Sequence, residues 1–322
     1  MNNGKKIFIL SFVLTVVVFF IFFSFHTKTI RHDNYFVHEG DGLYRVGENL
    51  EEIGVIHSAF KFKVYAKIWS IVNGCGGVPL GEYEIKKDEG FNNLIEKFCN
   101  GKTVLKTLTI PEGFETREIV NLVNNNEHLI GKKVVFFEEG KILPETYSFQ
   151  SGSKREEVFA KMQQDFNIFV NEEWERREKN DVIKTKEEAI ILASIVEKEA
   201  KTDEERPIIA SVYLNRLKSN RKLEADPTTI YELTKGKYKL NRLLTRVDLQ
   251  VKGDYNTYRK KGLPITPICN PGKKSILAVL HPSKTDYIYF VAKEDLSGHY
   301  FSVSYKDHLK NIKFVKSHNS AK

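Results

Sequence analysis

The feature that most constrains this chain is a segment, residues 185–206, that predicts a buried helix with two carboxylates at its end. Thr185, followed three residues later by a glutamate, forms a capping-box pattern that marks a helix start. Residues 189–196 are almost all apolar, so this helix is expected to lie inside a core. Glu197 and Glu199 follow directly. Because burying an ionised carboxylate is costly, each of them should be paired, exposed at the helix end, or functional.

The N-terminus predicts a membrane anchor. Residues 7–25 are uncharged and mostly apolar, and at about 1.5 Å per residue a helix of this length matches the hydrocarbon thickness of a bilayer. The run is too long for a signal peptide, and no small-residue cleavage site follows it. We therefore expect residues 1–30 to form a short cytoplasmic tail and an uncleaved single-pass anchor in the plasma (inner) membrane.

Charge and location together narrow the choice of partner. The net charge of +8 suits an anionic polymer such as nucleic acid, lipid head groups or acidic cell-wall material. An anchored chain with almost all of its residues outside the cytoplasm would not meet nucleic acid, so nucleic acid is not expected as a partner. The membrane and the cell wall remain.

Residues 31–150 contain two segments with the same pattern. Residues 81–98 and 105–123 each change from alternating, strand-like spacing to helical spacing, with Glu-Gly-Phe at the turn. We predict two strand-turn-helix units in a small β-α region. Units of this kind either serve only to pack the domain or, as small β-α repeats can, bind glycans.

The rest of the chain is predicted to be mainly helical. Residues 155–180 are amphipathic, so residues 151–184 are interpreted as a connecting helix. Residues 185–322 are predicted to form one domain of helices with a small β-hairpin at residues 287–304. A long proline-containing loop, residues 255–272, is where we expect a site. The predicted fold class is therefore α+β.

Two further helix starts are marked by capping patterns. Thr202 and Glu205 have the spacing of a second capping box, with Pro207 in the first turn. Asp226, directly before a proline, is expected to cap the next helix. An Asp-Pro pair at such a position needs no catalytic function to explain it.

The three cysteines, Cys75, Cys99 and Cys269, cannot all pair with one another. A bridge between Cys75 and Cys99 is compatible with an oxidising compartment. The sequence contains no CxxC or HExxH motif, and its nine histidines are scattered. We therefore predict no metal site and no cofactor.

The acidic cluster has a structural and a catalytic interpretation. Glu197 and Lys201 have the spacing of a solvated helix pair, which contributes roughly a few tenths of a kcal/mol. Apolar residues flank Glu197 on its own face, however, and such a setting raises a carboxyl pKa toward the value that a general acid needs. Glu199 lies on nearly the opposite side, so the two glutamates cannot form the facing pair that glycosidases usually use. Either a distant acid such as Asp226 completes a pair, or one carboxyl performs both proton transfers.

Nine short motifs in one order carry a resemblance to a known family. They are IVEKE at 195–199, VYLNRL at 212–217, DPT at 226–228, IY at 230–231, YNTY at 255–258, GLP at 262–264, NPG at 270–272, HP at 281–282 and YFV at 289–291. Together they closely resemble the membrane-anchored endolytic murein transglycosylases, the MltG or YceG-like family. The resemblance continues through the predicted anchor, the β-α segments and the sequence PETY at 144–147.

The resemblance implies a fold and a reaction. It implies a single N-terminal transmembrane helix, a small LysM-like β-α subdomain, and a mainly helical catalytic domain with a lysozyme-like helix bearing one essential glutamate. It implies internal cleavage of nascent peptidoglycan strands between N-acetylmuramic acid and N-acetylglucosamine, leaving a 1,6-anhydro-muramyl end. One glutamate then suffices, because the sugar's own C6 hydroxyl replaces water as the nucleophile. Peptidoglycan strands and cell-wall synthases are the implied partners.

Carried over to this sequence, the resemblance implies Glu197 as the acid/base, with Glu199 in reserve because helical periodicity does not separate the two. It also implies a sugar cleft lined by Asn215, Asp226, Thr228, Tyr255, Asn256, Thr257, Tyr258 and Asn270. Tyr258 would supply a stacking face and the polar side chains would supply hydrogen bonds. Each residue also has a structural interpretation, as a cap, a backbone partner or a packed ring.

The sequence departs from the family pattern at three places. Ile265 and Thr266 stand between Pro264 and Pro267 where the family commonly has Pro-Gly, Glu224 stands where a glutamine is common, and Glu145 stands where an aspartate is common. These differences bear on loop shape and cleft polarity rather than on the central acid.

Two other functions remain open at this point. The β-α segments and the basic charge suit a non-catalytic, membrane-anchored scaffold that holds glycans for the cell-wall synthesis machinery. Cys269 and His281 are close in sequence and would suit an exported hydrolase that uses a thiol nucleophile.

Overall fold

The computed structural model describes residues 11–15, 27–135 and 138–319 of the chain. It divides into two compact units. The first contains the described residues up to Lys106 together with His128–Ile130 and Ser148–Ser153, and the second contains Thr107–Glu127, Gly131–Tyr147 and the described residues from Lys154 onward. This division differs from the predicted ranges, because much of residues 107–147 belongs with the second unit. The LysM-like character of the first unit stays a prediction.

Most of the predicted anchor, residues 7–25, lies outside the described residues. Residues 11–15 are helical. No helix in the described part of the chain is both long enough and apolar enough to cross a bilayer.

The first unit packs helices against a two-stranded sheet. Strand β1 (Asp33–Val37) pairs antiparallel with β2 (Gly81–Ile85). Its helices are α1 (Leu43–Glu52), α2 (Ala59–Asn73) and α3 (Phe91–Cys99). Alternate residues of both strands are buried and pack with apolar side chains of the helices in one core. A disulfide joins Cys75 to Cys99, the pairing that the sequence allowed.

Two short sheets follow in the chain. Strand β3 (Leu105–Thr109) pairs with β5 (Thr146–Gln150), and β4 (Leu129–Ile130) pairs with β6 (Ser153–Lys154). Helix α4 (Thr116–Asn124) follows β3 after a turn. Both predicted strand-turn-helix segments, β2 with α3 and β3 with α4, are therefore confirmed.

The second unit is mainly helical. Its helices are α5 (Arg155–Arg176), α6 (Lys186–Glu199), α7 (Arg206–Lys218), α8 (Asp226–Thr234), α9 (Lys273–Leu280) and α10 (Tyr305–Asn319). Strands β7 (Tyr289–Ala292) and β8 (His299–Ser302) form the predicted antiparallel hairpin. The mixture of helices and small sheets in the described residues agrees with the predicted α+β class.

Helix α6 lies at the centre of this unit, as the sequence indicated. Every residue from Ala189 to Val196 is buried. The hydroxyl of Thr185 accepts the N–H of Glu188, and the Glu188 carboxylate accepts the N–H of Thr185, both at 3.2 Å. Helices α6, α7 and α9 pack against one another around a single apolar core. A buried, capped helix of this kind gives its last turn a fixed orientation.

The two other predicted caps are wrong. Helix α7 begins at Arg206 with Glu205 in the N-cap position, and the Glu205 carboxylate contacts Nδ1 of His299 at 2.9 Å. Helix α8 begins at Asp226 itself with Ala225 in the N-cap position. The Asp226 carboxylate instead accepts the hydroxyl of Tyr258 at 2.7 Å. Partners from distant segments thus replace the local backbone partners that sequence spacing suggested.

Candidate functional site

The last turn of α6 directs Glu197 and Glu199 into different surroundings. This agrees with the expectation that residues two apart on a helix face nearly opposite sides. Each carboxylate can therefore be described by its own partners.

Glu197 lies in an ionic cluster. Its Oε1 is 3.0 Å from Nη1 of Arg206, and its Oε2 accepts the backbone N–H of Gly272 at 3.0 Å. Its side chain is only 6% exposed. Arg206 also contacts Asp203 at 3.1 Å and Glu112 at 3.7 Å. The apolar setting expected for Glu197 is therefore wrong, because both carboxylate oxygens have strong donors.

The pKa of Glu112 shows that several acidic side chains are crowded together in this cluster. Burial raises the pKa of Glu112, and the negative charge of Glu197 raises it further, while Arg206 and Lys274 oppose the change. The guanidinium of Arg206 thus holds three acidic side chains at the point where α6 ends and α7 begins.

Glu199 lies in a cavity of about 290 Å³. Its Oε1 accepts the hydroxyl of Tyr213 at 3.1 Å. Burial raises the pKa of Glu199 to about 7, and the negative charge of Asp226 adds to the rise, while the Tyr213 hydrogen bond and Lys201 lower it. The C-terminal end of a helix is also an unfavourable place for negative charge. A carboxyl with a pKa near 7 can both donate and accept a proton at neutral pH.

The cavity draws its walls from α6, α7, α8, the 255–272 loop, the hairpin and α10. Its lining residues are Glu199, Arg216, Leu223, Glu224, Asp226, Tyr258, Tyr289, Phe290, Tyr305 and His308. Of the residues predicted from sequence, Glu199, Asp226 and Tyr258 meet here. Burial raises the pKa of Tyr258, so its hydroxyl keeps the proton that it donates to Asp226.

The side chains of Asn215 and Asn270 form hydrogen bonds with backbone groups and do not line this cavity. The Asn215 amide donates to the carbonyls of Thr285 and Tyr287, at 2.7 and 3.0 Å. Asn270 is fully buried, and its side chain accepts the N–H of Ile142 at 3.1 Å. Both asparagines thus fix distant loops in place.

Three further predicted residues, Thr228, Asn256 and Thr257, form a buried network of hydrogen bonds between the 255–272 loop and the start of α8. The Thr257 hydroxyl accepts the N–H of Ala225 at 3.0 Å and lies 2.8 Å from the hydroxyl of Thr228. The Asn256 side chain donates to the carbonyl of Val251 at 2.7 Å and accepts the N–H of Tyr258 at 3.0 Å. Their role is to position Tyr258 and the start of α8.

Tyr255 lines a second, larger cavity of about 460 Å³. Its neighbours there include Phe166, Ile190, Tyr231 and Glu139. Burial raises the pKa of Glu139 to about 7, although hydrogen bonds from Thr116 lower it. The structure therefore separates Tyr255 from the group of predicted residues around Glu199.

Sequence reasoning missed several residues of the Glu199 cavity and its hydrogen-bond partner Tyr213. Tyr213 and the cavity residue Arg216 are three residues apart on α7, a spacing that places them on one face, so their motif contained a usable signal. The Arg216 guanidinium donates to the carbonyls of Lys222 at 2.8 Å and Ile288 at 3.1 Å and pairs with Glu224. No pattern near His308 connected it with this cavity.

Cys269 has the environment of a structural thiol. It is fully buried, its Sγ lies 3.4 Å from the carbonyl oxygen of Ser194, and burial raises its pKa. A nucleophilic cysteine needs the opposite, a lowered pKa and access to substrate. The hydrolase hypothesis based on Cys269 and His281 therefore has no support.

Comparison with known proteins gives consistent results. The model of the YceG-like family matches residues 35–314. An endolytic murein transglycosylase of Bacillus subtilis is 29% identical over 313 residues, covering 87% of this chain and 84% of that protein. One from Streptococcus pneumoniae strain R6 is 24% identical over 323 residues, covering 85% of this chain and 56% of that protein. The chain thus spans just over half the length of the pneumococcal relative.

A solved structure also matches. The crystal structure of a YceG-like protein from Listeria monocytogenes superposes with a TM-score of 0.52 at 27% sequence identity, covering 88% of this chain and 99% of that chain. The match extends over most of both chains, so it concerns the fold as a whole.

Proposed function

This chain belongs to the YceG-like family, and we propose that it is an endolytic lytic transglycosylase that cleaves peptidoglycan strands. The relatives named endolytic murein transglycosylases support the reaction class. The observation that carries the proposal is the carboxyl of Glu199, which has a pKa near neutrality and faces a cavity. We propose that the bond cleaved joins N-acetylmuramic acid to N-acetylglucosamine and that the new end is a 1,6-anhydro-muramyl group.

We assign the acid/base role to Glu199 rather than to Glu197. The oxygens of Glu197 are occupied by Arg206 and the N–H of Gly272. Glu199 has one neutral hydrogen-bond donor, Tyr213, and lines the cavity. A general acid needs a proton at working pH and a path to substrate, and Glu199 meets both conditions.

The proposed reaction needs one carboxyl and no water. Protonated Glu199 donates its proton to the glycosidic oxygen as the bond from that oxygen to C1 of the muramyl sugar breaks. The C6 hydroxyl of the same sugar then forms a bond to C1 and gives its proton to the Glu199 carboxylate. The products are an anhydro end and a free 4-hydroxyl group, and Glu199 regains its starting protonation state.

Asp226 has a supporting role in this scheme. Positive charge develops at C1 in the transition state of glycosidic cleavage. Asp226 places a negative charge in the same cavity, held by the hydroxyl of Tyr258. Its charge also helps to raise the pKa of Glu199. Asp226 thus helps Glu199 to keep its proton until the transfer, and it stabilises the positive charge that develops at C1.

The cellular setting completes the proposal. The uncharged run at residues 7–25 supports a single-pass anchor in the plasma membrane, with the catalytic part outside the cytoplasm. We extend the proposal to a lysozyme-like arrangement around α6 and a LysM-like first unit that binds glycan. Nascent strands emerge at the membrane, so cell-wall synthases are the expected partners.

The test is product analysis with the full chain in detergent. Uncrosslinked peptidoglycan strands are digested, and the masses of the new ends are measured. An anhydro end is lighter than a reducing end by one water. Anhydro ends from the wild type, and none from Glu199→Gln, are expected. An active Glu199→Gln variant contradicts the assignment of the acid.

One observation favours a second candidate function. Glu199 and Asp226 line one cavity, and a pair of carboxylates is the usual equipment of a glycoside hydrolase. In that case Asp226 would activate water or act as the nucleophile. Reducing ends in the same digestion would support hydrolysis over transglycosylation.

A purely glycan-binding scaffold is the remaining alternative. A binding protein has no need of a carboxyl group whose pKa is held near 7. Retained binding with an unchanged distribution of strand lengths after prolonged incubation would favour the scaffold.

A further inference from the structure

One side of the Glu199 cavity has no role in the reaction described above. It is formed by Tyr289 at the start of β7 and by Tyr305 and His308 in the first turn of α10. We call these three residues the aromatic wall. It was not among the residues that the sequence suggested for the sugar cleft.

His308 carries an unsatisfied polar atom at this wall. Its Nδ1 is buried and has no hydrogen-bond partner within the part of the chain that the structure describes. Burial lowers the pKa of His308, and the charge of Arg216 lowers it further, so the ring is neutral at pH 7. A buried polar atom without a partner typically costs about 1–3 kcal/mol. His308 also lines the cavity, so a ligand there lies beside the ring that carries this unsatisfied atom.

The ring of His308 is held in a fixed orientation. It stacks on the ring of Tyr289, with a centroid separation of 5.0 Å and an interplanar angle of 17°. Tyr289 is in turn fixed by Arg221, which donates to its hydroxyl at 3.1 Å. A donor or acceptor held in this way binds a ligand without losing rotamer entropy.

Tyr305 supplies the apolar part of the wall. It is 59% exposed, and its ring centroid lies 5.8 Å from that of Tyr289 and 6.3 Å from that of His308. Sugar rings present faces of C–H groups that pack on aromatic rings, while their edges carry hydroxyl and acetamido groups. An exposed ring beside an unsatisfied ring nitrogen fits such a two-sided ligand.

The local charges favour a neutral ligand group at this position. The guanidinium of Arg216 is already bonded to two carbonyls and to Glu224. The ring of His308 is neutral and therefore has no electrostatic preference for a carboxylate. A hydroxyl or acetamido group matches the Nδ1 atom better than an anionic group does.

We propose that the aromatic wall is a sugar-binding subsite in which Nδ1 of His308 forms a hydrogen bond with a neutral polar group of the glycan and Tyr305 packs against a sugar face. This inference rests on the proposed function, because it takes the glycan strand as the occupant of the cavity. It adds a role in substrate binding for two residues of helix α10, Tyr305 and His308.

The test exploits the shapes of two amides. The side-chain nitrogen of asparagine can occupy the place of Nδ1 in a histidine, whereas glutamine reaches the place of Nε2. With the full chain and uncrosslinked strands, His308→Asn should keep KM within about threefold of wild type. His308→Gln and His308→Leu should raise KM by about tenfold, the value of one hydrogen bond, with kcat changed less than KM. Tyr305→Ala should raise KM as well.

Controls separate a lost contact from a damaged fold. His318 lies on the same helix, exposed and beside Phe314, and His318→Leu should leave KM unchanged. Thermal unfolding of every variant is measured alongside. If His308→Leu does not fold, the comparison of His308→Asn with His308→Gln still decides the question. Equal KM values for wild type, His308→Asn and His308→Gln would overturn the inference.

The same experiment distinguishes this inference from the proposed function. A wild-type chain that releases no anhydro ends contradicts the proposed function, whatever the variants do. A wild-type chain that releases them while all His308 and Tyr305 variants keep its KM contradicts only the subsite. Binding of intact strands to Glu199→Gln, with and without His308→Gln, gives the change in Kd directly and is expected to show the same tenfold loss.

Discussion

Glu197 and Glu199 are two residues apart on one helix, yet they lie in regions of opposite character. Around Glu197, a guanidinium and a backbone N–H occupy both carboxylate oxygens. Around Glu199, burial and the negative charge of Asp226 raise the pKa of a carboxyl that lines a cavity, and the hydrogen bond from Tyr213 only partly offsets the rise. The first region joins α6 to α7 and α9, and the second places a carboxyl with a raised pKa in a cavity.

The difference lies in what neighbouring elements bring to each side. Arg206 at the start of α7 and Gly272 before α9 face Glu197, whereas Tyr213 in the middle of α7 faces Glu199. One helix therefore supplies both the ion pair and the hydrogen bond. The same residue type has a structural task on one side and, in our proposal, a chemical task on the other.

The largest expected effect is that of Glu199→Gln. Loss of the general acid should lower kcat by about 10³-fold or more, because general acid–base catalysis typically contributes 10²- to 10⁴-fold. The variant should bind strands and fold normally, since glutamine has nearly the same shape and can accept the Tyr213 hydrogen bond. Turnover measured by release of soluble fragments checks this. A loss of binding equal to the loss of turnover would contradict a purely chemical role.

The next effect concerns pH. Glu199 must be protonated to act as the acid, so above its pKa of about 7 the rate should fall roughly tenfold per pH unit. Stability should follow the same group. The pKa of Glu199 in the folded protein lies above the ordinary value near 4.5. Protonation of Glu199 therefore contributes fully to the free energy of unfolding at acidic pH, and this contribution is lost as the pH rises toward 7. Unfolding of wild type and Glu199→Gln at pH 4.5 and pH 8 checks the sign: glutamine should stabilise the protein only at pH 8.

Glu197→Gln should have a smaller effect on rate and a larger one on stability. It leaves Arg206 with a weaker partner in a mostly buried site, which should cost about 1–3 kcal/mol of unfolding free energy. We expect kcat to fall less than tenfold and the pH midpoint of activity to stay near that of wild type. A double-mutant cycle with Arg206→Gln measures the coupling between the two side chains. A coupling energy of zero, or a rate as low as that of Glu199→Gln, would reverse our assignment.

The smallest effect tests the contact between Gly272 and this cluster. A methyl group at Gly272 would overlap the Glu112 carboxylate, so Gly272→Ala should displace that flexible side chain and cost about 1 kcal/mol. Gly90 is a matched control, because it is also an N-cap glycine with a similar extended backbone but has no atom within 4 Å of a new methyl group. The difference in unfolding free energy between the two alanine variants reports the overlap. Equal values would remove the argument for tight packing at Gly272.

Local patterns predicted the elements well where neighbouring residues supply the partners. The capping box at Thr185, the buried run of α6 and both strand-turn-helix segments agree with the structure. The cap predicted at Thr202 and the one at Asp226 failed, because the carboxylates of Glu205 and Asp226 found partners in distant segments, His299 and Tyr258. Spacing along the chain carries no information about such partners.

The candidate site shows the same limit. Of the residues that the resemblance implied for the site, only Glu199, Asp226 and Tyr258 line one cavity. Polar residues such as Asn256 and Asn270 bond buried backbone, which sequence cannot distinguish from bonding a sugar. His308 joins the cavity only because α10 returns to it from the far end of the chain.

The sequence by itself determined that α6 is buried, where it starts, and that two carboxylates leave its last turn on opposite sides. Periodicity and capping are properties of neighbouring residues, so they can be derived from their order. Only the tertiary structure decided which carboxylate is ion-paired and which one lines a cavity with a raised pKa. That decision depends on the desolvation of Glu199 and the charge of Arg206, and both arise from segments that meet only after folding.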